Sequence, residues 1–177
     1  MIDFRNIVPT IRYIWTTILH KIFVFQAGGW TGASFWRLLV HDWTKFRPCE
    51  APHYGRQFFG DASDPIGFMQ AWNHHSKAHD HHWEYWIPVT GHSRSGYPDL
   101  QPLPMSEAAI REMVADWLGA GRAYTGTWPE SVETWAWWNA NKDKIQVHPD
   151  TRVLLNLIIR DAFTSKSEAS SDFTAGL

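Results

Sequence analysis

The apolar residues of this chain recur every three or four positions, the spacing that places side chains on one face of an α-helix. No segment alternates β-branched and polar residues over the length of a strand, and no Asn-Gly or Asp-Gly turn occurs. The pattern predicts helices at residues 9–25, 32–46, 65–86, 107–121, 129–145 and 150–163. We therefore predict an all-α fold, a single-domain bundle of about six helices.

The first predicted helix carries a stripe of large apolar side chains that we expect to face the core. Its members are Ile11, Ile14, Trp15, Ile18, Ile22 and Phe25. Because Arg12, His20 and Lys21 interrupt it, the apolar run is shorter than the roughly 20 residues of a membrane span. No basic segment typical of a signal peptide precedes it. We expect a core helix, no membrane association and a cytoplasmic protein.

Two segments lie outside the helical pattern. Residues 87–105 are rich in Pro and Gly and predict a long loop, and a loop of that length in a small domain usually has a function. Residues 164–177 are small and polar and predict a flexible C-terminal tail after a domain at 1–163. Before the fourth helix, Ser106 is a good N-cap, and Gly119 and Gly121 are expected to end that helix.

Composition narrows the possible partners. The net charge is −2, which gives no reason to expect duplex nucleic acid or an anionic membrane as a partner. A single cysteine cannot form an internal disulfide, so nothing indicates an oxidising compartment. The 12 tryptophans predict a Trp-rich core and are compatible with aromatic walls around a ligand pocket.

Several metal-capable residues interrupt apolar helical faces. His20 lies in the first helix, His41 and Asp42 are adjacent in the second, and Asp116 lies in the fourth. Separately, His20 is typical of a hydrogen-bonded core residue and Asp116 of a surface carboxylate. Together they favour a shared metal ion, because burying a charge without a partner costs several kcal/mol. Histidine and aspartate ligands without cysteine suit Zn, Mn, Fe or Co.

The stretch 72-WNHHSKAHDHHWEYW-86 holds five histidines within nine residues. On a continuous helix His75, His79 and His82 share one face, while His74 and His81 share a neighbouring face. We expect His75 and His82 to be the ligands, with His74 and His81 as the equivalent alternative. A polar helix face that binds no metal remains the simpler interpretation.

The order of these residues resembles the HD-domain metal-dependent phosphohydrolase superfamily, and the whole pattern is similar to short HD-like proteins of phages and bacteria. The matching residues are His20, 41-HD-42, His75, His82 and Asp116. The resemblance implies an all-helical bundle in which the first histidine, the His-Asp pair and the last aspartate bind one metal. Further histidines, where present, complete a second site. One or two divalent ions are implied, from Zn, Mn, Fe, Co or Mg.

The resemblance also implies hydrolysis of a nucleotide or another small phosphoester by a metal-activated water. Lys45 follows the pair as HDxxK and would contact the phosphate. Glu84 or a histidine of the third helix would transfer protons, and Glu112 would support the ligands. Trp43, Trp72 or Trp83 would stack on a nucleobase.

Two other functions remain open. A branch of the same superfamily activates oxygen with two irons, and the surplus of histidines fits that chemistry. A metal-stabilised helical bundle without catalytic activity, acting as a binding protein, is the third possibility. The sequence does not decide the substrate, the metal, the histidine ligands or whether the chain forms a homo-oligomer.

Overall fold

The computed structural model describes residues 7–88 and 101–175. Within these ranges there are seven α-helices and no strand, so the all-α prediction is confirmed. The helices are α1 (Ile7–Thr31), α2 (Phe35–Val40), α3 (Ala51–Phe59), α4 (Pro65–Ala78), α5 (Glu107–Thr125), α6 (Ala136–Asn141) and α7 (Pro149–Ala175). Two 3₁₀ helices, Trp43–Phe46 and Trp83–Trp86, follow α2 and α4.

The main core forms where α1, α5 and α7 pack against one another. Helix α5 lies at its centre and buries apolar residues that include Ile110, Met113 and Leu118. As predicted, Ser106 caps this helix, since its hydroxyl accepts a hydrogen bond of 3.2 Å from the backbone amide of Ala109. A smaller cluster around Tyr13 and Tyr54 joins α1 to α3.

Several predicted helix boundaries are wrong. The second predicted helix breaks at His41 and Asp42, and the third ends at Ala78 instead of continuing to residue 86. The segment 129–145 forms only the short α6. Helix α5 continues through Gly119 to Thr125, because the glycine faces a neighbouring helix instead of ending its own.

The predicted core stripe of α1 is wrong for most of its members, although Ile14 is partly buried against the cluster around Tyr13 and Tyr54. Ile11, Trp15 and Ile22 are 57–62% exposed, and the buried residues lie on the opposite face. That buried face consists of Tyr13, Thr17, His20, Val24, Ala27, Gly28 and Thr31. Its mostly small and polar side chains let α1 approach α5 closely, and the bulky apolar side chains therefore lie outside.

Toward the C-terminus, α7 continues through Ala175, beyond the predicted domain end at residue 163. Most of the predicted loop 87–105 lies outside the described residues, which resume at residue 101. None of the described helices combines the length and the apolar character needed to cross a membrane.

Gly119 marks the closest approach of α5 to α1. A Cβ at this position would lie 2.6 Å from the backbone nitrogen of Val24, whereas a Cβ at Gly121, in the same helix, would meet nothing within 4 Å. We expect Gly119→Ala to lower the free energy of unfolding by about 1–3 kcal/mol, because the two helices must separate. Gly121→Ala should raise it by up to about 1 kcal/mol through helix propensity. Urea denaturation of both variants measures the difference, and equal effects would contradict the close packing.

Candidate metal centre

The break after α2 places Asp42 at the centre of the site. Helix α2 ends at Val40, and Asp42 has a left-handed backbone with φ of 55° and ψ of 22°. Few residues other than glycine adopt this conformation, although aspartate tolerates it better than most. The carboxylate is fully buried, and each of its two oxygen atoms faces a different group of histidines.

The first group of ligands surrounds Asp42 Oδ2. His20 Nε2 lies 3.1 Å from this oxygen and 3.1 Å from Asp116 Oδ1, and the corresponding distances for His41 Nε2 are 3.3 Å and 3.4 Å. The two histidine nitrogens are 3.3 Å apart. Ligand atoms about 2.1 Å from a tetrahedral ion lie about 3.4 Å from one another. The spacing of these four buried residues therefore fits one metal ion.

The second group of ligands surrounds Asp42 Oδ1. His75 Nε2 lies 3.1 Å from this oxygen and His81 Nε2 lies 3.4 Å from it. The ring of His82 is 4.7 Å from the ring of His75 and 4.3 Å from the ring of His81, measured between centroids. These four residues are buried and each offers a ligand atom within 4.8 Å of the others.

Unsatisfied polar atoms coincide with this second group. Asp42 Oδ1 and the Nε2 atoms of His75, His81 and His82 are buried and have no hydrogen-bond partner among the described residues. Leaving such an atom unpaired costs about 1–3 kcal/mol, so four of them within one cluster need an explanation. A cation bound among these four residues would satisfy these atoms, because one ligand atom of each residue lies within 4.8 Å of those of the others.

Glu112 contacts one histidine of each group through the Nδ1 atom, on the side of the ring away from the candidate ligand atom Nε2. Its Oε1 accepts hydrogen bonds from His41 Nδ1 at 2.9 Å and from His81 Nδ1 at 3.0 Å. Its Oε2 accepts a bond of 2.6 Å from Arg37 Nε. With the protons held on Nδ1, the Nε2 atoms are free to bind a metal. Burial would raise the pKa of Glu112, but the histidine hydrogen bonds outweigh it and lower the pKa to about 2.

Glu50 and Thr44 support the second group in the same way. His75 Nδ1 lies 3.2 Å from Glu50 Oε2 and 3.0 Å from Thr44 Oγ1. The other oxygen of Glu50 bonds to His74 Nδ1 at 2.5 Å, and Thr44 also bonds to His79 Nε2 at 2.9 Å. His74 and His79 therefore bond to the residues that support His75 and belong to neither ligand group.

Opposite charges keep the central carboxylates ionised. Burial would raise the pKa of Asp42, but the charges of His41, Lys45 and His75 hold it well below its usual range. Burial would likewise raise the pKa of Asp116, and hydrogen bonds from His20 and His41 lower it. Lys45 Nζ lies 2.5 Å from Asp42 Oδ2. Both carboxylates thus remain negative at neutral pH, which is the state in which a carboxylate binds a metal.

A cavity of about 530 Å³ opens beside the two groups. Its lining includes Asp116 of the first group, His82 of the second group, Lys45 and Glu84. Its walls are mainly aromatic and include Phe58, Phe68, Trp72, Trp83, Trp117 and Tyr124. Burial raises the pKa of Glu84, whose Oε2 is buried without a hydrogen-bond partner among the described residues. A ligand here would contact both groups at once.

The structure brings together all six residues that the sequence suggested as ligands, and it adds His81. A third helix that continues through residue 86 would place His81 on the face of His74, which makes these two the alternative pair. That helix ends at Ala78, and the following turn directs His81 and His82 toward Asp42 together with His75. Neither predicted pair describes this arrangement, which uses three histidines.

Other residues of the site gave weaker sequence signals. Glu50, Thr44 and Arg37 were missed, since nothing in their local sequence distinguishes them from surface residues. Trp72 and Trp83 line the large cavity, whereas Trp43 lines a separate cavity of about 290 Å³ beside Arg37. Trp43 therefore does not border the space where a ligand would meet both groups.

We expect Glu112→Gln to weaken metal binding by about 10- to 100-fold. Glu112 uses one oxygen for the two histidines and the other for Arg37, whereas a glutamine amide has only one oxygen that can accept hydrogen bonds. The matched control is Glu107→Gln, which makes the same chemical change five residues earlier on α5. The carboxylate of Glu107 is exposed and pairs with Arg111. Competition with a chromophoric chelator measures both affinities. Equal affinities in the two variants would contradict the supporting role of Glu112.

Comparisons with known proteins place the chain in a family without naming an activity. Neither the curated proteins nor the solved structures give a match. A family described as a family of unknown function (DUF5662) matches residues 10–161. The match covers α5 in full and every ligand residue of both groups. Because it spans most of the sequence, the chain belongs to the DUF5662 family.

Proposed function

We propose that the protein is a metal-dependent phosphohydrolase of the HD type, with two metal ions bound on either side of Asp42. The observation that carries this proposal is the pair of buried ligand groups that share Asp42 and border one cavity. The family match names no activity, so the proposal rests on the site. Bound divalent metals would supply a water of lowered pKa and would polarise a phosphate oxygen.

Lys45 would hold the anionic part of the substrate. Its ammonium group lies against Asp42 and lines the cavity, and its side chain is 17% exposed. Burial alone would lower the pKa of Lys45, but the charge of Asp42 raises it well above its usual value. The residue is therefore a permanent cation beside the ligand groups, where it can stabilise negative charge on a phosphate.

Glu84 would act as the general acid. Its raised pKa keeps the proton on the carboxyl group to a higher pH than on an ordinary glutamate. It borders the same cavity as Lys45 and His82, which places the proton within the space available to a substrate. A carboxyl group in this state can protonate a leaving oxygen.

The walls of the cavity favour a substrate with an aromatic part. Aromatic side chains that include Trp72, Trp83 and Phe68 line the cavity, together with the charged groups of Lys45, Glu84 and Lys144. Aromatic faces bind planar rings by stacking, and a nucleotide combines such a ring, its base, with a phosphate on the sugar. A nucleotide, or a small aromatic phosphoester, is the substrate class we propose.

A di-iron oxygenase is the second candidate. The observation that favours it is the number of histidines, since five imidazoles and two carboxylates form the two ligand groups. Such a nitrogen-rich set binds iron readily. The same cavity would then hold an organic substrate beside the irons.

The activity test uses protein loaded with Mn, Co or Mg and a panel of nucleotides and phosphoesters. We expect phosphate release by the wild type, and we expect Asp42→Asn to lose both metals and at least about 1,000-fold of the activity, because it removes the shared ligand. Asp150→Asn is the matched control, since the Asp150 side chain is 86% exposed at the start of α7.

Two outcomes of this experiment would overturn the phosphohydrolase. One is the absence of phosphate release from every compound tested, although metal analysis shows a loaded site. The other comes from a parallel assay of protein loaded with iron. Oxygen uptake by that protein without phosphate release would establish the oxygenase instead. Glu84→Gln separates chemistry from metal binding, because it should retain the metals and lose activity.

Metal binding should release a proton from His41. In the metal-free protein, burial would lower the pKa of His41, but the charge of Asp42 and hydrogen bonds to Asp116 and Glu112 raise it well above 6.5. A histidine binds a metal as the neutral imidazole, so binding removes the proton that the raised pKa places on His41. Affinity should therefore increase with pH through the neutral range, up to the raised pKa. Calorimetry in buffers of different ionisation enthalpy measures the released proton, and a pH-independent affinity would contradict the charge we assign to His41.

A further inference from the structure

The outer surface of α1 and α2 carries a continuous set of exposed apolar side chains, which we call the apolar face. It consists of Ile11, Trp15, Ile18, Ile22 and Phe25 of α1 and Phe35, Trp36 and Leu39 of α2. These residues are 39–70% exposed. The two helices form one surface, because the rings of Phe25 and Phe35 contact each other with centroids 5.7 Å apart.

The size of the apolar face is unusual for a monomer. If each of the eight residues has a full area of about 200 Å², within the range of about 150–250 Å² for large side chains, the exposed fractions correspond to on the order of 900 Å². The largest apolar patch of a typical monomer is about 300–600 Å². A stable interface buries about 800 Å² on each partner. The apolar face therefore has the area that one copy of a dimer contributes.

The charges around the apolar face favour a protein partner over a membrane. Helices that lie on anionic membranes carry many Lys and Arg residues on their polar side. The opposite side of α1 is instead buried against α5 and α3. Of the three Lys and Arg residues in α1 and α2, Lys21 binds the backbone carbonyls of Leu39 and His41, and Arg37 pairs with Asp80 and Glu112. Arg12 is therefore left as a single exposed cation beside the apolar face, far fewer than a membrane-surface helix carries.

We infer that the apolar face is the interface of a homodimer, in which α1 of one copy packs against α1 of a second copy of this chain. A two-fold interface uses the same patch on both subunits, so the patch must be self-complementary. The apolar face meets this condition, because all its members are uncharged and they extend along α1 from Ile11 to Phe25. In an antiparallel pair Ile18, midway between Ile11 and Phe25, lies nearest the two-fold axis.

The dimer would also stabilise the metal centre. His20 lies on the buried side of α1, and His41 directly follows α2. Covering the outer side of both helices restrains the elements that carry these two ligands. The dimer does not depend on the proposed reaction, and it can be tested without an activity assay.

Sedimentation of the full chain tests the dimer. We expect the wild type to have twice the 20.5 kDa mass of one chain at micromolar concentration. Ile22→Glu should raise the dissociation constant by at least about 100-fold, because it buries two unpaired carboxylates across the two-fold axis. The matched control is Ile66→Glu, since Ile66 on α4 is 69% exposed but lies outside the apolar face. This control should leave the mass of the dimer unchanged.

A wild type that sediments as a monomer at every concentration would overturn the inference, as would an Ile22→Glu variant that dimerises like the wild type. If the monomer instead binds vesicles of anionic lipid, or binds a different protein, the apolar face has that occupant. Circular dichroism of each variant checks that it is folded.

A cysteine cross-link tests the same geometry without placing a charge in the apolar face. In a Cys49→Ser background, Ile18→Cys should form a disulfide-linked dimer on oxidation, while Ile66→Cys should remain monomeric. A cross-linking yield at Ile18 no higher than the yield at Ile66 would contradict the antiparallel pairing. This measurement decides the question if Ile22→Glu fails to fold.

Discussion

The buried carboxylate of Asp42 lies between two groups of histidines, and the arrangement of the site depends on it. A negative charge at this depth is costly unless cations or hydrogen-bond donors surround it on every side. Histidines from α1, from α4 and from the turns after α2 and α4 supply that surrounding, together with Lys45. Each oxygen of the carboxylate belongs to a different ligand group, so one side chain joins two potential metal positions.

The left-handed backbone at Asp42 is part of the same arrangement. A regular helix through residues 32–46 would direct Asp42 to one side only, and its carboxylate would not reach both groups. Ending α2 at Val40 allows the chain to turn, with His41 facing Glu112 and Lys45 returning toward the carboxylate. Strained backbone of this kind is typical of functional sites, where the surrounding contacts maintain it.

Helix α1 has two faces with different functions. The small and polar side chains face inward, where Gly119 permits close contact with α5 and where His20 reaches Asp42 and Asp116. The large apolar side chains face outward. An apolar stripe in the sequence usually indicates the core, but here the opposite face, which carries His20 and several small residues, is the one that packs against α5. The apolar face is then left for another contact.

The helical class and the N-cap at Ser106 follow from the sequence alone, which also suggests the six candidate ligands His20, His41, Asp42, His75, His82 and Asp116. Helical periodicity and the cost of burying charge carry that information, although the spacing that paired His75 with His82 assumed a helix that ends at Ala78 instead. Packing decides that His81 joins the candidate site, that Glu50 and Glu112 contact its histidines, and that most of the apolar stripe of α1 faces outward. These features depend on where helices end and on which faces meet, and both are set by packing between segments far apart in the chain. Periodicity within one segment cannot specify them.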